Sequence, residues 1–412
     1  MRLRLSPSPL SAREFFRDPL GYVRSSGEDV HTLELTAGLT PFAVVRDPDE
    51  IWRVLVTNSG SFRQGRWKTR ARRFLGDNLN TLDGEAHRRR RLLMQPCLDR
   101  RRIAGFGPAI VTRAERLQAG WRDGDFVQLR DELDRLSLAV AGEVLLSTEL
   151  GPEAPELARD LSVLMTRMPR LSPPAFPTRQ SRALARIDTS IRALIDERRG
   201  SPGNDGDLLG VLLASGLPDQ QVVGELIAFL LAAVDEPPSG LEAAWYLLAR
   251  DRAAEERFHA ELDAVLGDSA VSLEDEPRLP YLNAVLSETL RILPPTRYVD
   301  RCPVHETEIG GVRVPAGANV LIGPIVTHHE PRLYDRPEAF VPERWLDSSL
   351  AKRRGAYLPF GAGPHTCIGE PLARAIMTLT LATIGRRWRI RVSADAGPPV
   401  PGNRLAATVE RR

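Results

Sequence analysis

Along most of this chain apolar residues recur at intervals of three and four, the spacing that turns one face of a helix toward a core. That spacing predicts helices over 102–119, 153–168 and 179–199. Another helix opens near Pro218 and carries the longest clear apolar run, nine residues from Leu226 to Val234. Helices over 241–266 and 281–293 follow, and the last covers about 368–387. Strand-like stretches are short: 32–35 and 42–45 around Gly38 and Pro41, strands and turns at about 305–323, and a pair closing the chain. Pro173, Pro174 and Pro177 mark a loop, 200–207 reads as a connector, and 331–366 is a long loop rich in Pro, Gly and charge. The pattern predicts a mainly α fold with a small β portion. No connector is long enough to argue for independent units, so one domain over 1–412 is expected.

Composition changes this picture little. With 412 residues, 42% hydrophobic and 27% charged, the chain has the balance of a globular protein. A formal net charge of +2 excludes a molecule that is basic overall, and no nucleic-acid partner is expected. Arg88, Arg89, Arg90 and Arg91 form a local basic run. Such a run is ordinarily a solvated helix face; the sharper reading is a docking patch for an acidic partner. The nine-residue apolar run is too short for a bilayer, which needs roughly 20 residues. The start of the chain lacks a stretch of signal-peptide length. Cys97, Cys302 and Cys367 are too few and too scattered for a disulfide framework. A soluble, cytoplasmic monomer without a membrane anchor is expected.

The segment from Phe360 to Pro371 concentrates the chemistry. Gly361, Gly363 and Gly369 let the backbone turn tightly and approach a flat ligand. Cys367 stands at the start of the last helix, where free N–H groups and the helix dipole favour a thiolate. A thiolate donates electron density to a ferric heme as its axial ligand. A buried structural cysteine is the plainer reading of any lone Cys. Here a phenylalanine, three glycines, a histidine and a cysteine fall together.

That order, Phe-Gly-x-Gly-x-His-x-Cys-x-Gly over residues 360–369, resembles the cytochrome P-450 family at every fixed position. Glu288 and Arg291 resemble the family's Glu-x-x-Arg pair, and Arg344 its loop arginine, all in the right order before Cys367. The resemblance covers essentially the whole chain. It implies a triangular helical prism with heme b between a long central helix and the cysteine loop. It assigns Cys367 to the iron and places Phe360 and Gly369 against the cofactor. It gives His87, Arg91, Arg301 and His365 to the heme propionates; His87 and Arg91, four apart, share one helix face.

The resemblance also implies monooxygenation of a lipophilic molecule, with electrons from a ferredoxin and its reductase. The arginines at 88–91 and 100–102 are a candidate docking patch for that partner. The basic stretch before His87 is similar to bacterial members acting on terpenoids, fatty acids and other lipophilic compounds. The loops expected to line the pocket, 63–82 and 168–180, mix Arg with apolar residues. They suit a secondary metabolite, terpenoid- or polyketide-like, with an apolar body and room for one anionic group.

One segment departs from the family. Where the pattern is small-Gly-x-acid-Thr, with a hydroxyl that helps deliver protons, this chain has Ala233, Asp235 and Glu236, followed by Pro237 and Pro238. Neither register supplies the hydroxyl. The prolines free the carbonyls of Ala233 and Val234, which then anchor water or mark a kink. Ser239 and Glu242 have the spacing of a capping box, suited to a helix that restarts after the break. Asp235 and Glu236 are the candidate catalytic acids. Glu236 serves as proton donor, as acid/base on the substrate, or as a contact for a polar substrate group. Two other functions remain open. One is heme-thiolate chemistry without the usual oxygen insertion: peroxygenation, rearrangement, desaturation, dehydration or ring closure. The other is a non-catalytic heme-binding recruitment protein.

Overall fold

The computed structural model describes residues 18, 20–21, 30–33, 42–150, 154–165, 179–201, 206–347, 353–399 and 405–412. Most of the expected pocket loop at 168–180 lies outside them, as do the turn at Gly38 and Pro41 and the prolines at 173–177.

The long helix Asp219–Leu248 runs through the middle of the molecule. Its sequence is apolar on nearly every side, and residues from Val222 to Trp245 are buried around the whole circumference. Against it lie Leu129–Leu146 on one side and Glu370–Gly385, the helix that follows Cys367, on another. The second contact is close. A Cβ on Gly240 would stand 2.7 Å from Met377 Sδ, so a larger residue there would displace the Met377 side chain. Leu129–Leu146 is not among the elements that spacing predicted. Leu133, Leu136, Leu138, Val140 and Leu145 are buried on several faces, which erases a single apolar stripe.

Among the described residues the β portion has ten short strands: β1 (Val30–Leu33), β2 (Phe42–Val45), β3 (Phe62–Gln64), β4 (Phe126–Gln128), β5 (Val299–Pro303), β6 (Thr307–Ile309), β7 (Val312–Val314), β8 (Asn319–Ile322), β9 (Trp388–Val392) and β10 (Ala406–Arg411). They form sheets ordered β1-β2-β8-β5-β3, β4-β10-β9 and β6-β7. In the first sheet β2 and β8 are parallel, whereas β5 pairs antiparallel with both β8 and β3. That register sets Gln64 directly opposite Arg301. Strands β3 and β5 are absent from the sequence-based expectation, being three and five residues long.

Two helix expectations change. The predicted helix over 102–119 is two, Arg100–Ala104 and Gly107–Gln118, separated around Gly105 and Phe106. The break expected at Pro237 and Pro238 does not occur. One helix runs through both prolines and ends at Leu248, and Asp251 then caps Arg252–Leu266 by accepting from Ala254 N–H at 3.0 Å.

Candidate active site around Cys367

The double proline is tolerated because a neighbouring helix supplies the missing partner. Pro237 has no N–H for the carbonyl of Ala233. The fully buried Ser137 hydroxyl donates to that oxygen at 2.6 Å. The freed carbonyl is therefore taken up by protein. The predicted capping box does not form either. Ser239 Oγ accepts from Arg130 at 2.8 Å, and Glu242 accepts from Leu405 N–H at 2.6 Å.

Asp235, Ser239 and Glu242 fall on one face of the helix, and that face meets Arg130. The guanidinium donates to Asp134 at 2.6 Å and to Asp235 at 2.8 Å, and stands 3.6 Å from Glu242. The two candidate catalytic acids are thus parted by the helix turn. Asp235 is tied to a structural cluster, while Glu236 lies about 100° round the axis. On the side of Glu236, Ala232 is exposed although nearly all its helical neighbours are buried, so open space reaches the middle of the molecule there. Thr296 Oγ1 lies 3.1 Å from both carboxylate oxygens of Glu236. The hydroxyl missing from the central helix is supplied by the segment after Pro294 and Pro295. Burial, and then the charge of Asp235, raise the Glu236 carboxyl to about 7, against the opposing effects of Thr296, Lys68 and Arg130.

Cys367 is near enough to Glu236 to feel its charge. Its N–H donates to Phe360 O at 2.8 Å, which closes the loop before the helix. Gly361 and Gly363 take φ values of 70° and 72°. A Cβ on Gly363 would come within 2.0 Å of Leu55 O, so this turn admits only glycine. The Arg374 guanidinium sits 4.8 Å from the centre of the Phe360 ring.

The Cys367 thiol is solvent-accessible, yet protein surrounds it densely. Burial raises it to about 11; the N–H of Gly369 and the charge of Arg91 pull it down, while Glu236 and Glu370 add to the rise. The N–H of Gly369, at the helix start, favours the thiolate against the effect of burial. A bound metal cation would supply the missing positive charge, since a coordinating thiol is deprotonated outright.

The four basic residues predicted to act together are brought together. The rings of His87 and His365 lie 3.9 Å apart, tilted by 41°. Gln64 joins His365 to Arg301. Its amide oxygen accepts from Arg301 at 3.1 Å, and its amide nitrogen lies 3.0 Å from His365 Nδ1. Arg91 donates to Thr366 O at 2.6 Å, one residue before the cysteine. Burial, and then the nearby guanidinium charges, lower His87 to about 4. Burial, then His87 and the arginines, lower His365 to about 3. Asp83 stands 3.9 Å from His365 and is one of the few carboxylates near the group. Two imidazoles and two guanidiniums so placed make a receptor for a ligand carrying two carboxylates. With the soft thiol below a central open space, this donor set fits heme b.

The remaining predicted residues brace the segment 328–345, which precedes the cysteine loop. Glu288, fully buried, accepts from Arg291 at 2.8 and 2.9 Å, from Arg344 at 3.0 Å, from Trp345 Nε1 at 2.7 Å and from Val341 N–H at 3.0 Å. Burial pushes its carboxyl up, but these bonds outweigh that effect and hold it below its ordinary value. Arg291 in turn donates to the carbonyls of His328, Pro337 and Ala339. Spacing gave no notice of Gln64, Thr296, Arg130 or Lys68. Only strand pairing makes Gln64 the neighbour of Arg301.

The arginine run divides in two. Arg90 is buried and donates to Glu225 at 2.6 Å and to Gln221 at 2.7 Å, and Arg91 faces the cysteine loop. Arg88 and Arg89 are exposed, as are Arg100, Arg101 and the apolar Leu92. No described helix is long and apolar enough to cross a membrane.

Comparison with known proteins agrees with this geometry. Cyclooctatin synthase of Streptomyces melanosporofaciens is 34% identical over 94% of this chain and 88% of its own length. Cyclooctat-9-en-7-ol 5-monooxygenase of the same organism is 34% identical, covering 95% and 87%. Pentalenene oxygenase of Streptomyces avermitilis is 30% identical over 93% and 90%. The fold matches the retinoic acid-bound cyanobacterial CYP120A1 with a TM-score of 0.87, across 98% of this chain and 96% of that one, at 22% identity. The profile of the family described as Cytochrome P450 matches residues 24–410, and on these grounds the chain belongs to the cytochrome P450 family, heme b oxidoreductases of the monooxygenase type.

Proposed function

We propose that this enzyme inserts one atom of dioxygen into an unactivated C–H bond of a lipophilic, terpenoid-like secondary metabolite in the bacterial cytoplasm. Electrons come from a ferredoxin and its reductase. The observation that carries this reading is that Cys367 and Glu236 are near enough to feel each other's charge, with His87, Arg91, Arg301 and His365 gathered close to the cysteine loop. Bound at Cys367, heme supplies the oxygen-activating chemistry.

The chain's own residues bind, orient and supply protons. Cys367, in the loop that leads into Glu370–Gly385, would ligate the iron. The four basic side chains hold the propionates, with Gln64 setting the direction of Arg301 and His365. Glu236, raised to about 7 and joined to Thr296, holds a proton at the face opposite Cys367. Asp235, bound to Arg130, positions the helix. Exposed Arg88, Arg89, Arg100 and Arg101 form a basic surface for an acidic ferredoxin, with Leu92 at its edge. The terpenoid substrate class rests on the printed activities of the Streptomyces relatives.

Turnover under ¹⁸O-labelled dioxygen tests the reaction. Product that gains one labelled oxygen atom is the expected result. Product of unchanged oxygen content would favour rearrangement or desaturation, the alternative that Glu236 in the hydroxyl position keeps in view.

A further inference from the structure

Thr296 reaches Glu236 from outside the central helix, and the chain on either side of it is fastened. It lies between the helix Pro280–Ile292 and strand β5. At the end of that helix the buried Arg291 is held by Glu288 and by the carbonyls of His328, Pro337 and Ala339. Pro294 and Pro295 then fix two successive φ angles. Beyond Thr296 the Tyr298 ring packs edge-on to Trp67 at 6.3 Å, Val299 pairs with Ile322 of β8, and Asp300 accepts from Trp67 N–H at 3.0 Å. The Thr296 hydroxyl stands 3.1 Å from each carboxylate oxygen of Glu236. Among the described residues it is the one hydrogen-bond partner that this carboxyl has.

A carboxyl that gives up a proton away from bulk water needs a partner suited to both of its states. A hydroxyl accepts from the protonated form and donates to the ionised one. An arginine or lysine could only donate. A valine would leave the ionised form desolvated without a bond. We propose that Thr296 is a positioning residue for proton delivery: it holds the Glu236 carboxyl while its proton is bound, and stabilises the carboxylate left when the proton goes. In the first state Thr296 Oγ1 accepts from the Glu236 O–H. As that proton is delivered at the face opposite Cys367, the Thr296 O–H turns and donates to the carboxylate. A proton from water at the exposed Ala232 restores the acid, and the pair returns to its first state. The other charges that reach Glu236 are Asp235 on its own helix, Lys68 on the helix Arg66–Leu75, Arg130 on Leu129–Leu146, and Cys367. None of these can change from acceptor to donor by a rotation.

The inference rests on the proton-holding role proposed for Glu236, and one titration separates the two. Infrared spectra of the heme-loaded protein are recorded from about pH 5 to 9, and the protonated Glu236 carboxyl is the C=O band that Glu236→Gln lacks. In the wild type that band should fade as pH rises through about 7. Thr296→Val removes the donor to the ionised form and should move the midpoint up by about one pH unit, the value of a hydrogen bond to a charged group. Thr296→Ser should keep the wild-type midpoint. A merely structural loss would admit water and move the midpoint down, toward the ordinary carboxylate range. Hydrogen peroxide released per electron pair in the ¹⁸O turnover should rise in Thr296→Val and return to the wild-type level in Thr296→Ser. Thr296→Ala, with no new bulk to place, gives the same reading if the valine variant does not fold. An unmoved or lowered midpoint when the hydroxyl is removed overturns the role of Thr296 alone, as does an unchanged peroxide yield. A wild-type protein with no carboxyl band titrating near neutral pH overturns the role of Glu236, and this inference with it.

Discussion

Replacing Ser137 by Ala removes the donor that satisfies the Ala233 carbonyl at 2.6 Å. Both groups are deep in the core, so water does not readily take its place. An unsatisfied buried carbonyl costs about 1–3 kcal/mol. The carbonyl is orphaned only because Pro237 lacks an N–H. Pro237→Ala restores a donor one helical turn away, and the helix is already continuous there. In that background Ser137→Ala should cost about 0.5 kcal/mol or less, the ordinary range of a change that breaks no buried bond. The double-mutant cycle should therefore show a coupling of about 1–2 kcal/mol between Ser137 and Pro237. The assay is chemical denaturation of the four proteins at matched heme load, since bound cofactor shifts apparent stability. Costs that add to within about 0.5 kcal/mol would refute the claim that Ser137 substitutes for the proline's missing bond. The functional consequence is that Ser137 and Arg130 hold the turn that carries Glu236.

Glu236 is protonated below about 7 and ionised above it, so a proton-donor role weakens as pH rises through that value. Coupling of electron use to product should fall over that range in the wild type and lose the inflection in Glu236→Gln; a Gln variant with the same profile would remove Glu236 from proton delivery. Glu288→Ala strips a carboxylate from Arg291, Arg344 and Trp345, and should destabilise by about 3–5 kcal/mol, read as loss of folded, heme-loaded protein. Gly363→Ala forces a Cβ to 2.0 Å from Leu55 O at φ 72°, and should yield protein with little heme at normal helicity; full loading would contradict the tight approach. Gln64→Leu should lower heme affinity without changing the carbon monoxide spectrum, because it removes the bridge between Arg301 and His365 and leaves Cys367 in place.

Much of the site was legible in the sequence because its residues are either local in chain order or constrained by backbone shape. Gly361, Gly363 and Cys367 belong to one turn, and Glu288 and Arg291 to one helical turn. Spacing alone places them. What sequence could not show is what lies across a space. Gln64 meets Arg301 only through strand register, and Thr296 reaches Glu236 from a segment sixty positions away. The double proline misled for the same reason. Its local rule is a broken helix, and the exception depends on Ser137 on another helix. Asp235 and Glu236 are adjacent in sequence, yet a helix turns consecutive residues to different faces.

The central claim is that Cys367 holds the heme iron as a thiolate. The direct measurement is the absorption spectrum of the reduced, carbon monoxide-bound protein, compared with that of Cys367→His at equal heme content. The wild type should show the long-wavelength Soret band of a thiolate-ligated complex, and Cys367→His the shorter-wavelength band of an imidazole-ligated one. A Cys367→His protein that keeps the wild-type band would contradict the assignment.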